Sequence, residues 1–131
     1  MKTPDKKTLT TLAESARQAM ESAIAPYSKF RVGAALLTRE GRVYTGCNVE
    51  NPSLSLSVCA ERVALLKALS EGEREFAAIA VYADGMDCCT PCGSCRQMLF
   101  EFAPEIVVVM VSRKGYKTKK IKELLPGAFK V

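Results

Sequence analysis

The chain has 131 residues, 48% hydrophobic and 25% charged, with a formal net charge of +5. That length buries roughly two-thirds of the unfolded surface, enough for one core without disulfide staples. The longest apolar stretches fall well short of the ~20 residues a membrane span needs, and the start lacks the pattern of a secretory signal. A single domain over residues 1–131 is expected, in a cytoplasmic setting where thiols stay reduced.

Apolar residues recur on one helical face from about Thr10 to Ala25, through Leu12, Ala13, Ala16, Met20, Ala23 and Ile24. Pro26 then ends the helix. "FRVGAALL" and "RVYTGCNV" flank the turn "TREG" and read as an antiparallel hairpin. The loop "ENPSLSLS" leads to a second helix near "CAERVALLKALSEG", with Ser57 a candidate N-cap and Gly72 a stop. "FAAIAVYA" and "EIVVVMV" are continuously apolar, as strands covered on both faces are. Between them "TPCGSCRQMLFEF" predicts a third helix, with Thr90 as cap and Pro91 at its first position. "GYKTKKI" adds an edge strand and "LLPGAF" a short terminal helix or turn. The alternation predicts an α/β fold, a mixed sheet with helices on both faces. The second and third helices then start at the same edge of the sheet, where such folds hold ligands.

Six basic residues crowd "RKGYKTKKIK" at 113–122. With Tyr116 its single aromatic, the run reads as a lysine-guarded edge strand, and nucleic acid is not the expected partner.

"DCCTPCGSCRQ" at 87–97 carries Cys88, Cys89, Cys92 and Cys95. Cys92 and Cys95 form C-x-x-C, a spacing that suits one zinc and equally a redox pair. Cys59, at the start of the second helix, is placed to meet them. A structural zinc takes a fourth ligand, which Cys88 or Cys89 would supply; a catalytic zinc leaves one position for water. Glu61, two residues after Cys59, tips the balance, because a carboxylate beside such a water acts as base and then as acid. Cys88 and Cys89 are accordingly expected outside the coordination shell.

"CAE" followed by "PCGSCRQ" resembles the zinc-dependent nucleoside deaminases, specifically the cytidine deaminase family with three cysteine ligands. The likeness runs from "PYSKF" through "VGAALL", "GCNVEN" and "SEG" to "ELLPGAF", nearly the whole chain. It implies a three-layer α/β/α fold around a mixed five-stranded sheet. It implies one Zn2+ per subunit on Cys59, Cys92 and Cys95, with Glu61 moving protons in the hydrolysis of cytidine or 2'-deoxycytidine to the uridine product and ammonia. Three thiolates on one zinc carry a net negative charge. Two helix N-termini, each worth roughly +0.5 charge, and the Arg62 guanidinium are expected to offset it. The chain has no histidine, in keeping with an all-cysteine site.

The resemblance also assigns substrate contacts. Asn48 and Glu50 match the pair that binds the sugar hydroxyls, and Phe30 an aromatic that stacks on the base. The Ala60 amide matches a donor to the base's carbonyl oxygen. Phe129 matches an aromatic delivered by a neighbouring subunit of a homotetramer with shared sites. One departure stands out: the family's usual tyrosine in "ENxxY" is Leu54 here, after Pro52, which puts sugar preference in question. The competing readings are a deaminase of another cytosine nucleoside, such as a blasticidin-type antibiotic, a polynucleotide-editing deaminase, and a non-catalytic protein with a structural zinc.

Overall fold

In a computed structural model, which describes residues 3–131, the Asp5 carboxylate accepts the Thr8 amide at 2.8 Å and caps helix α1, Lys6–Met20. This helix starts and stops earlier than the expected Thr10–Ala25. Asp5 satisfies a free first-turn amide that periodicity ignores. At the other end, Ile24 leaves the helix because its amide donates to the Asn48 carbonyl at 2.9 Å and its carbonyl accepts the Glu50 amide at 2.9 Å.

The hairpin follows as β1 (Val32–Thr38) and β2 (Val43–Cys47), paired antiparallel with Ala35 opposite Thr45. A short 3-10 turn, Leu54–Leu56, precedes α2 (Ala60–Ser70). Then come β3 (Phe76–Ala83), α3 (Gly93–Phe102), β4 (Val107–Val111), β5 (Tyr116–Lys120) and the single turn α4 (Ile121–Leu124). The five strands form one sheet in the order β2-β1-β3-β4-β5. Only β3 and β4 run parallel; every other pair is antiparallel. The mixed sheet is the one expected.

Alternation along the strands sends side chains to two separate cores. Leu36, Ile79, Val81 and Val108 pack with α2 and α3 on one face, while Ala35, Leu37, Ala80 and Val109 pack with α1 on the other. Helices therefore cover both faces in three layers. All of β3 and β4 is buried, which explains why their sequences are apolar without alternation.

Two glycines set how closely the helices approach. A Cβ on Gly33 would stand 2.1 Å from the Ala16 carbonyl oxygen, and one on Gly46 would stand 2.5 Å from that of Ala60. Neither position has room for a side chain. Gly46 therefore fixes the height of the α2 N-terminus above the sheet.

In the basic run at 113–122, Lys117, Lys119 and Lys120 lie on β5, an outer strand as anticipated, and Lys122 follows in α4. Some of its charge is paired: Lys122 meets Glu105 at 2.7 Å and Lys119 meets Glu123 at 3.9 Å.

Candidate active site

Both helix starts differ from the sequence expectation by two residues, and the difference brings the cysteines to the helix tips. Ser57 does not cap α2; its hydroxyl accepts the Asn51 amide at 2.9 Å, and Val58 pairs with Val49. Cys59 is the residue at the cap position. Likewise Thr90 and Pro91 stay outside α3, and Cys92 holds its cap position. The Pro91 carbonyl is held by Arg96 Nε at 2.7 Å, and the same guanidinium reaches the Leu124 carbonyl at 2.9 Å. Arg96 thus fastens the approach to Cys92 against the C-terminal segment.

The two tips meet. Cys59 Sγ and Cys92 Sγ are 3.9 Å apart, and the Sγ atoms of Cys59, Cys92 and Cys95 all lie within 4.8 Å of one another. Two sulfurs at ~2.3 Å from one tetrahedral zinc stand about 3.8 Å apart. The trio fits such an ion with little adjustment. Cys88 and Cys89 are not part of this group.

Arg62 lies one turn along α2 and turns back toward the sulfurs. Its Nη2 donates to the Ser57 carbonyl at 3.3 Å and stands 3.9 Å from Cys59 Sγ. Its Nε is buried and has no hydrogen-bond partner among the described residues. A guanidinium held half-desolvated in this way favours negative charge on the sulfur beside it. Within the trio the Cys95 thiol donates to Cys59, which, with Arg62 and Cys92, brings the Cys59 pKa down to about 5 against the cost of burial. The same shared hydrogen bond, followed by burial, holds the Cys95 proton far more tightly than usual.

Glu61 is buried, only 5% exposed, at the second residue of α2. Burial is the main reason its pKa rises to about 7, with the Cys59 charge adding to it and Arg62 opposing. A carboxyl near neutrality in a closed wall can hold a proton and return it.

Cys59, Cys92 and Glu61 line a cavity of about 170 Å³. Ala60 lines it beside them, together with Phe30, Val32 and Asn48. Cys89 and Thr90 complete the lining, a placement not anticipated from the sequence. Burial raises the Cys89 pKa to about 12, so this thiol is a neutral, apolar surface. Only its nearness in sequence to Cys92 hinted at such a position.

The other expected contacts are engaged with their own backbone or lie away from the cavity. Glu50 does not line the cavity; its carboxylate accepts the Tyr27 and Ser28 amides, each at 3.1 Å, and the Ser28 hydroxyl. Asn48 uses both ends of its amide on the neighbouring backbone, accepting from the Val32 amide at 2.9 Å and donating to the Phe30 carbonyl at 2.8 Å. Phe129 is 74% exposed and borders a different groove, beside Gln97 and Phe102. Gln97 Nε2 donates to the Phe129 carbonyl at 2.9 Å and anchors that tail on α3. Leu54 is 82% exposed on its 3-10 turn.

Residues 6–111 match the model of the cytidine and deoxycytidylate deaminase zinc-binding region. The chain belongs to this family. A cytidine deaminase of Halalkalibacterium halodurans is 49% identical over 120 residues, covering 90% of this chain and 91% of the relative. One from Sporosarcina psychrophila is 48% identical over 120 residues, covering 90% and 88%. Among solved structures, cytidine deaminase from Burkholderia pseudomallei superposes with a TM-score of 0.87 at 48% identity, over 91% of this chain and 97% of that one. The Mycobacterium tuberculosis cytidine deaminase gives 0.81 at 38% identity, over 92% and 96%. The family is zinc-binding, and the Cys59, Cys92 and Cys95 cluster is consistent with one zinc per chain.

Proposed function

We propose that this protein hydrolyses the exocyclic amine of cytidine or 2'-deoxycytidine, giving the uridine product and ammonia. The observation that carries the reading is a buried Glu61 lining the same cavity as Cys59 and Cys92, two of the three converging thiols. The family relationship supplies the substrate class, since the relatives matched over most of the chain are cytidine deaminases.

Cys59, Cys92 and Cys95 would hold the zinc. When bound, the ion supplies a Lewis acid that makes water a nucleophile near neutral pH. The chain's own groups do the rest. Glu61 takes a proton from the attacking water and delivers it to ring nitrogen N3 as the C4–O bond forms. It then carries the hydroxyl proton to the amine as the C4–N bond breaks, leaving a C4 carbonyl and ammonia. Glu61 ends as it began. Arg62, close to Cys59 Sγ, offsets the thiolate charge that would otherwise oppose ionisation of the water.

Recognition follows from the same framework. The Ala60 amide, in the first turn of α2 and at the cavity, lacks an intrahelical partner and is available to a base carbonyl. Phe30 offers a ring face at the cavity to stack on the base. Asn48 and Glu50 take the sugar, each with the hydrogen-bonding capacity their backbone contacts leave over.

A homotetramer with shared sites accounts for Phe129. Its ring stands away from its own chain's cavity and is largely exposed, as are Leu54 and Leu56. Large apolar side chains in such positions are suited to burial against another copy. The compartment is taken as cytoplasmic, because a thiol-ligated metal needs reduced cysteines. No helix among the described residues is long and apolar enough to cross a membrane.

The test is ammonia release from cytidine, 2'-deoxycytidine and free cytosine, run with a zinc assay on the same sample. Turnover of the nucleosides with about one zinc per chain supports the reading. Zinc without turnover of any cytosine compound would leave a structural metal site and end it.

A further inference from the structure

Resting on the nucleoside reading above, we propose that Ser28 is a positioning residue that locks the sugar-binding and base-stacking groups into one unit. Its hydroxyl donates to Glu50 Oε2 and accepts the Phe30 amide at 3.0 Å. One oxygen atom therefore links Glu50 to Phe30.

The surrounding backbone shows what that link restrains. Between Ser28 and Phe30, Lys29 has φ of 61°, in the left-handed region that a residue with a side chain adopts at a cost. The segment is held there from several sides. Lys29 donates to the Ala25 carbonyl at 3.0 Å, and the Tyr27 and Ser28 amides both donate to Glu50 Oε1. On the far side, Asn48 Nδ2 fixes the Phe30 carbonyl. The Phe30 peptide groups are thus gripped at the amide by Ser28 and at the carbonyl by Asn48, which aims the ring at the cavity.

The same bonds define what Glu50 has left. Oε1 is filled by two backbone amides, and Oε2 has accepted one hydroxyl. A carboxylate has about four acceptor positions, so one remains, on Oε2. Ser28 decides where it points. Removing the hydroxyl frees Oε2 to swing and leaves the Phe30 amide without its acceptor. Two substrate contacts are disturbed together, while the thiols and Glu61 sit on α2 and α3 and are untouched.

Ser28 is exposed, so Ser28→Ala is expected to fold with an unchanged melting temperature. KM for cytidine should rise about tenfold, the effect of one charge-assisted hydrogen bond, with kcat within about twofold of the parent. Ser28→Thr keeps the hydroxyl and should restore most of the loss. In a double-mutant cycle with Glu50→Ala, the Ser28→Ala effect should largely disappear. An unchanged KM, a fall in kcat alone, or additivity with Glu50→Ala overturns the role of Ser28 while leaving the deaminase reading intact. A parent protein inactive on every nucleoside overturns both.

Discussion

Cys59 and Cys92, 33 residues apart in the chain, cap two different helices and stand with their sulfurs 3.9 Å apart. Each helix is itself a dipole whose positive end faces this contact, so both ends favour thiolate at the same point. Serine at Cys59, Cys92 or Cys95 should cut bound zinc to well below one per chain, and chelation of the parent should abolish turnover reversibly. Serine at both Cys88 and Cys89 should leave zinc in place. Metal analysis of the purified variants checks each outcome.

Glu61→Gln should keep zinc and fold while turnover falls by about 10²–10⁴-fold, the range expected for losing a positioned acid–base group. Zinc content and near-ultraviolet circular dichroism report on the first two, and ammonia release on the third. A loss of metal with the activity would instead assign the carboxylate to the coordination shell.

The same substitution has an opposite effect on the metal-stripped protein. Burial lifts the Glu61 pKa from 4.5 to about 7, so the folded state holds a proton that the unfolded state has already released. Below the unfolded value both states are protonated and the shift has no effect. As pH rises from there to about 7 the folded protein is penalised progressively, reaching about 3 kcal/mol once both states are ionised. Chelator-treated Glu61→Gln should therefore be more stable than the chelator-treated parent above neutrality, the two converging in acid. Urea melts at several pH values measure this.

Gly46→Ala should disturb the site from a distance. Its Cβ meets the Ala60 carbonyl oxygen at 2.5 Å and the Ala64 amide nitrogen at 2.7 Å, both backbone atoms that cannot rotate away. The α2 N-terminus must lift, carrying Cys59 and Glu61. A stability loss of about 1–3 kcal/mol is expected, together with weakened zinc retention. Thermal melts and competition with a chromogenic chelator read the two effects separately.

Phe129→Ala should leave zinc and Glu61 unchanged and still impair turnover of cytidine. If neighbouring chains share sites, mixed assemblies of Phe129→Ala and Glu61→Gln chains should recover activity that neither has alone. Recovery after subunit exchange, followed by ammonia release, is the measurement; no recovery would confine Phe129 to its own chain.

Local chemistry was legible in the sequence because it is written in short spacings. C-x-x-C brings two sulfurs to neighbouring positions at one helix start, and Cys59 with Glu61 puts thiol and carboxyl in adjoining places at another. The unbroken apolar runs of β3 and β4 likewise announced strands covered on both faces. Tertiary structure decided what no spacing encodes. Ser57 and Thr90 have the chemistry of caps, yet the pairing of Val58 with Val49 and the grip of Arg96 on Pro91 moved both helix starts onto cysteines. Cys89 entered the cavity wall, Glu50 turned to hold the Tyr27–Ser28 turn, and Phe129 faced away from its own cavity. A side chain's direction at a loop or helix end depends on partners distant in sequence, and those partners exist only once the chain has folded.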